Sequence, residues 1–274
     1  MKTRILLTAG FTVLCVVAAF LLPPVPQPLE YHDFADQRSV FGMDHFLNIV
    51  SNIGFLIAGM VGLVIVGRRH TAFAADRERL PYAVFFAGVV LTAAGSTYYH
   101  MAPDNETLFW DRLPMTIAFM ALVSSQIVDR INVRLGLALL VPMLLLGAAS
   151  VLYWRATERM GAGNVLPYAI LQGYAVFVLL MLAALHPSRY TRGEDLYFVF
   201  GWYILSKVME SLDAQVLALG QIVSGHTLKH LAAAAAAGVL CFMLARRRQR
   251  APQASLIDTL QAPSQGLTLQ QGKK

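Results

Sequence analysis

The sequence predicts an all-α fold, a polytopic membrane helical bundle with a seven-helix core and one extra N-terminal transmembrane helix. Hydrophobic residues fill 57% of the 274 positions and charged residues only 14%, whereas soluble domains carry about 25% charged residues. The apolar runs are too long and unbroken for strands, and long enough to cross a bilayer as helices. Basic residues concentrate in alternate loops, as the positive-inside rule requires of a membrane protein.

The first apolar run covers residues 5–22, after Lys2 and Arg4 and before Pro23-Pro24. A secretory signal peptide shares those flanks, yet no small-x-small cleavage site follows, so the run reads as an uncleaved helix. Together with the loop behind it, it makes an N-terminal unit of residues 1–45, with the loop external. Seven further spans are expected near residues 46–67, 82–100, 113–128, 134–153, 165–185, 196–219 and 226–245, giving a catalytic core of residues 46–245. The remainder, 246–274, is rich in Gln, Ser and Pro and reads as a disordered cytoplasmic tail.

Eight spans sort the charges. The side with the N-terminus, the loops around Arg68–Arg79, Asp129–Arg134 and His186–Asp195, and the tail holds 16 of the 22 Lys and Arg. The other side holds Arg38, Arg112, Arg155 and Arg159, and Lys207 and Lys229 fall within spans. Both termini are therefore expected in the cytoplasm. The net charge of +6 belongs to these flanks and is no nucleic-acid signal. Cys15 and Cys241 lie in apolar runs and read as buried thiols, outside any disulfide framework.

Polar residues inside spans need a reason, because burial in lipid is costly. His226 and His230 are four apart at the outer start of the last span, on one helix face. Ser96 and His100 are four apart at the outer end of the third span. Asp111 starts the fourth span, just across a short outer loop. Three spans thus bring His100, His226, His230, Ser96 and Asp111 to one membrane depth.

Three neutral imidazoles with an open fourth position match a catalytic zinc site, and zinc lowers the pKa of its bound water to about 7. Asp111 is suited to accept the water proton and return it to a leaving group. The Ser96 hydroxyl is suited to hydrogen-bond the water or the developing oxyanion. The set fits hydrolysis of an unactivated carbonyl compound such as an amide. Plainer readings stand beside it. Asp111 also suits a helix N-cap ahead of Leu113-Pro114, and Ser96, after Gly95, suits a close helix crossing. His32, His45, His70 and His186 read as interfacial histidines. Lys207, Glu210 and Asp213 are spaced three apart in the seventh helix, either as an ion-pair cluster that fixes packing or as support for the metal site. Asp213 is the best placed of them to orient a ligand histidine.

At these residues the chain resembles the alkaline ceramidases, in the superfamily of seven-helix membrane proteins that includes the adiponectin and progestin receptors. The resemblance rests on Phe46-Leu47-Asn48-Ile49-Val50-Ser51-Asn52, Gly95-Ser96-Thr97-Tyr98-Tyr99-His100-Met101, Trp110-Asp111-Arg112-Leu113-Pro114-Met115 and His226-Thr227-Leu228-Lys229-His230. It covers roughly residues 33–245. It implies zinc on His100, His226 and His230, and roles for Ser96 and Asp111 like those above. It also implies a Ca2+ site in the acidic segment before the core, where Asp33, Asp36 and Asp44 are the oxygen donors. Two departures stand out. Arg112 occupies a position that is usually acidic, and Arg38 and His45 stand where oxygen ligands are expected.

The expected function is intramembrane, zinc-dependent cleavage of an N-acyl lipid, ceramide or another, releasing a fatty acid. The alternative is a zinc-containing receptor or sensor of the same fold without turnover. A transporter would often show two related halves with interrupted helices, and no such repeat is visible. The active site is expected toward the external side, periplasmic if the membrane is a bacterial inner membrane.

Overall fold

The computed structural model describes residues 2–68 and 72–250, and no strand occurs among them. The tail beyond Arg250 and His70 lie outside the described residues. Helix α1 spans Lys2–Leu21. A non-helical segment, 22–45, follows with one 3-10 turn at Leu29–His32. The core then runs through α2 (Phe46–Val50), α3 (Ile53–Arg68), α4 (Leu80–Met101), α5 (Asn105–Arg130), α6 (Val133–Arg159), α7 (Leu166–Leu185), α8 (Leu196–Ser211), α9 (Asp213–Gly220) and α10 (Gly225–Arg246). The all-α membrane bundle is as expected, and several helices are long and apolar enough to cross a bilayer.

Three boundaries differ from the sequence reading. The span expected at 46–67 is broken between α2 and α3. There the side chains of Ser51 and Asn52 both donate to the Asn48 carbonyl, at 3.0 and 2.9 Å, and so compete with the helical ladder. The fourth span begins at Asn105, well before residue 113. Asp104 caps it, accepting from the Thr107 amide at 2.6 Å, while the Thr107 hydroxyl accepts from the Asp104 amide at 3.1 Å. Asp111 therefore lies inside α5, and the N-cap role belongs to Asp104. The span expected at 196–219 breaks at Leu212, which separates α8 from α9.

The core helices form a closed bundle. Helix α3 packs on α4, α4 on α5, α5 on α6 and α7, and α8 on α10, which returns to α3. Helix α1 stands outside this ring, against α7. Phe11 meets Phe177 at 4.2 Å between ring centroids, and the hydroxyls of Thr12 and Tyr174 are 3.2 Å apart. The outward faces expose large apolar side chains such as Leu14, Ile57, Val64, Leu145 and Phe198. Lipid, not water, is the medium in which such a surface is stable.

One end of the bundle is pinned by a buried ion pair, Arg247 to Asp129 at 2.6 Å. Tyr82 donates to the same carboxylate at 2.7 Å, and the Arg247 guanidinium lies 4.1 Å from the Tyr190 ring. The other end carries the polar residues singled out in the sequence. A close α4–α5 crossing positions them. Pro114 lacks an amide hydrogen, so the Trp110 carbonyl loses its helical partner. Gly95 faces that carbonyl, and a Cβ at Gly95 would collide with it.

Candidate metal centre

His100 from the last turn of α4, and His226 and His230 from the first turns of α10, meet at that end of the bundle. All three are buried, and one nitrogen of each lies within 4.8 Å of the others. Among the described residues this is the group of side chains able to hold a metal ion. The Nε2 atoms of His100 and His230 are 3.3 Å apart. Two nitrogens bound tetrahedrally to zinc at about 2.0–2.1 Å would be separated by roughly 3.4 Å, so the spacing fits that ion.

The tautomer of His230 follows from its neighbour. Ser51 donates its hydroxyl proton to the Asn48 carbonyl at 3.0 Å, and its oxygen lies 2.8 Å from His230 Nδ1. With the Ser51 proton assigned to Asn48, Ser51 accepts from His230 Nδ1–H, which leaves Nε2 as a bare lone pair facing the other histidines. His100 Nδ1 is buried without a hydrogen-bond partner. A buried polar atom of this kind is costly.

Helix α10 is held in place by its own start. The Ser224 side chain caps it, accepting from the Thr227 amide at 3.2 Å. Thr227 donates to Asn48 Oδ1 at 2.8 Å. Asp213, at the first position of α9, accepts from the His226 amide at 2.7 Å through one oxygen and from the Ala35 amide at 2.9 Å through the other. Gly225 permits this approach, because a Cβ there would strike the Met209 carbonyl and the Asp213 backbone. The 22–45 segment is thereby tied to the histidines. Its Phe34 ring lies 4.6 Å from His100 and 4.5 Å from His226, and covers them.

The remaining residues fall into two sets. Ser96 and Asp111 lie against each other on the wall of the same cavity as His230. Glu210 joins two lysines, with Lys207 and Lys229 each 2.6 Å from its carboxylate, and Lys229 Nζ is also 3.4 Å from His226 Nε2. Lys207, Glu210 and Asp213 therefore do not act as one row. The break at Leu212 turns Asp213 toward α10, while the other two line the cavity. Sequence reasoning assigned no role to Ser51, to Lys229 or to Phe34 as a cover.

Asp33, Asp36 and Asp44 do not gather into a ligand set. Asp33 and Asp44 are exposed, and Asp36 is buried. Arg38 occupies the Asp36 carboxylate, with Nε at 2.7 Å from one oxygen and Nη2 at 2.6 Å from the other. The same guanidinium donates to the carbonyls of Gln221 and Ile222 at 2.7 and 2.8 Å. His45 Nδ1 meets the Asp36 carbonyl at 2.9 Å. Calcium takes six to eight oxygens, and here a guanidinium fills the space that such an ion would need. The residues present do not fit calcium. Hydrogen bonding from Arg38 holds the Asp36 carboxyl below the usual carboxylate range.

Below the histidines a cavity of about 390 Å³ opens into the bundle. Ser96, Asp111, Arg112, Lys229 and His230 line its polar end, and Phe85, Phe119, Leu122, Leu179 and Leu240 its apolar depth. A polar reaction centre above an apolar pocket suits a molecule with one polar linkage and a long hydrocarbon tail. A family model described as Ceramidase matches residues 43–255. Among curated proteins none matches the chain.

Proposed function

The chain belongs to the ceramidase family, a family of membrane amide hydrolases, and on that premise we propose that it cleaves the N-acyl bond of a membrane lipid with zinc held by His100, His226 and His230. The observation that carries this reading is the continuity of one cavity from His230, Ser96 and Asp111 into an apolar depth. An acyl chain lying in that depth presents its amide to the polar end.

Zinc bound there would supply Lewis acidity and a water made acidic enough to attack at neutral pH. The chain does the rest. His230 is fixed by Ser51, and His226 by the Asp213 contact to its amide, so the imidazoles are held ready before the ion arrives. Asp111 accepts the proton of the attacking water and delivers it to the leaving nitrogen as the carbonyl–nitrogen bond breaks. Ser96 hydrogen-bonds the oxyanion. Phe34 keeps bulk water from the centre, which strengthens each of these interactions. The products are a fatty acid and an amine.

The test is fatty-acid release from a panel of N-acyl lipids, ceramide included, by detergent-purified protein before and after metal removal. Release that a chelator stops and zinc restores supports the reading. Stoichiometric zinc with no release from any lipid favours the receptor alternative.

A further inference from the structure

Arg112 is unusually placed for an arginine. It follows Asp111 in α5, is only 5% exposed, and lines the cavity. Its guanidinium carbon lies 4.3 Å from the Trp154 ring, 4.8 Å from Tyr168 and 5.4 Å from Tyr31. Nη2 donates to Gln27 Oε1 at 2.6 Å. Nη1 is buried with no partner, and the guanidinium forms no ion pair among the described residues.

The geometry matters more than the burial. Aromatic rings stack on the flat face of a guanidinium and stabilise its charge, but leave the N–H groups in its plane free. Gln27 uses part of that edge, and Nη1 remains as a buried, charged donor without an acceptor. Two nearby carboxylates have other work. Glu158 accepts from Trp154 Nε1 at 3.0 Å, and Glu210 is held by Lys207 and Lys229. The charged side chains lining the cavity are then three cations, Arg112, Lys207 and Lys229, against Asp111 and Glu210. The pocket carries an excess of positive charge even before any metal ion is counted.

We propose that Arg112 binds an anionic oxygen on the headgroup of the N-acyl lipid, so that preferred substrates carry a carboxylate or a phosphate close to the scissile amide. This rests on the reading of the chain as an N-acyl lipid hydrolase and adds the class of headgroup. The anion supplies the acceptor that Nη1 lacks and balances the charge of the pocket.

Two substrate pairs test it. N-palmitoylserine differs from its methyl ester by one carboxylate charge, and C16-ceramide 1-phosphate differs from C16-ceramide by the phosphate. A charge-assisted hydrogen bond is worth enough for roughly a tenfold to hundredfold lower KM for the charged member of at least one pair. The member preferred tells carboxylate from phosphate. Arg112→Lys, which keeps the charge and loses the fork, should shrink that ratio, and Arg112→Gln should bring it to about one, whatever either variant does to the KM of the neutral members. Melting temperature and zinc content certify the variants. If Arg112→Gln does not fold, the wild-type ratio and its change in Arg112→Lys decide. Equal KM within both pairs, or preference for the neutral members, overturns the proposal. Hydrolysis of none of the four defeats the amidase reading instead. In that case the anion site is still read by whether N-palmitoylserine or C16-ceramide 1-phosphate raises the melting temperature more than its neutral partner does, and equal shifts within both pairs reject it.

Discussion

His230 is competent as a ligand because of what surrounds it. Ser51 fixes its ring from the far side, across 179 residues of sequence, so three predictions separate holding the metal from using it. His226→Ala or His230→Ala should take zinc content from about one per chain to none by metal analysis, since two imidazoles bind far more weakly than three. Ser51→Ala should keep the ligands and weaken zinc affinity about tenfold to a hundredfold, measured by competition with a chelator. Asp111→Asn should retain zinc and lipid binding yet lose about a hundredfold or more in turnover. Unchanged turnover would remove Asp111 from the chemistry while leaving the metal site intact. The histidines were legible in the sequence because a four-residue spacing fixes a helix face whatever the tertiary structure. Ser51 was not, because a serine in Ile49-Val50-Ser51-Asn52 has no meaning until α10 is placed beside it. The unpaired edge of Arg112 was hidden for the same reason, although its departure from the family pattern was visible.

At the scale of elements, the apolar runs showed where helices lie and hid where they break. Both interruptions of the core spans, at Ser51-Asn52 and at Leu212, place a polar side chain beside α10, and neither is marked by Gly or Pro. In the segment before the core, three aspartates suggest calcium and Arg38 stands out as a departure; in the structure Arg38 pairs with Asp36 and binds across to the α9–α10 loop. Calcium chelation should therefore leave the melting temperature and activity unchanged. A fall in either would return the ion to this segment. The same contact predicts an acid limit. Asp36 has a folded pKa below its unfolded one, so its contribution is complete above about pH 4 and is lost as pH falls through the depressed folded value. Hydrogen exchange across residues 33–45 should stay slow down to that range and quicken below it. Quickening at neutral pH would mean that the pair does not hold the segment.

At the scale of the molecule, fold class and family were plain from composition and motif order, because a membrane leaves few ways to satisfy a backbone. The cavity was not legible at all. Its lining comes from α3, α4, α5, α7, α8 and α10 together with Gln27, Pro28 and Tyr31 of the preceding segment, and no pattern within one helix announces a void shared by six. A reporter after Arg250 should read as cytoplasmic and one within Gly161–Asn164 as external, and finding both on one side would reject the arrangement of spans. The cover that Phe34 lays over the histidines, with apolar helix faces all around, has a kinetic meaning. A substrate whose tail never leaves the bilayer is met by lateral diffusion, and its supply is counted per lipid molecule rather than per litre. At fixed bulk substrate, adding inert detergent should slow the reaction in proportion to the falling mole fraction, and the Michaelis constant should be a surface density.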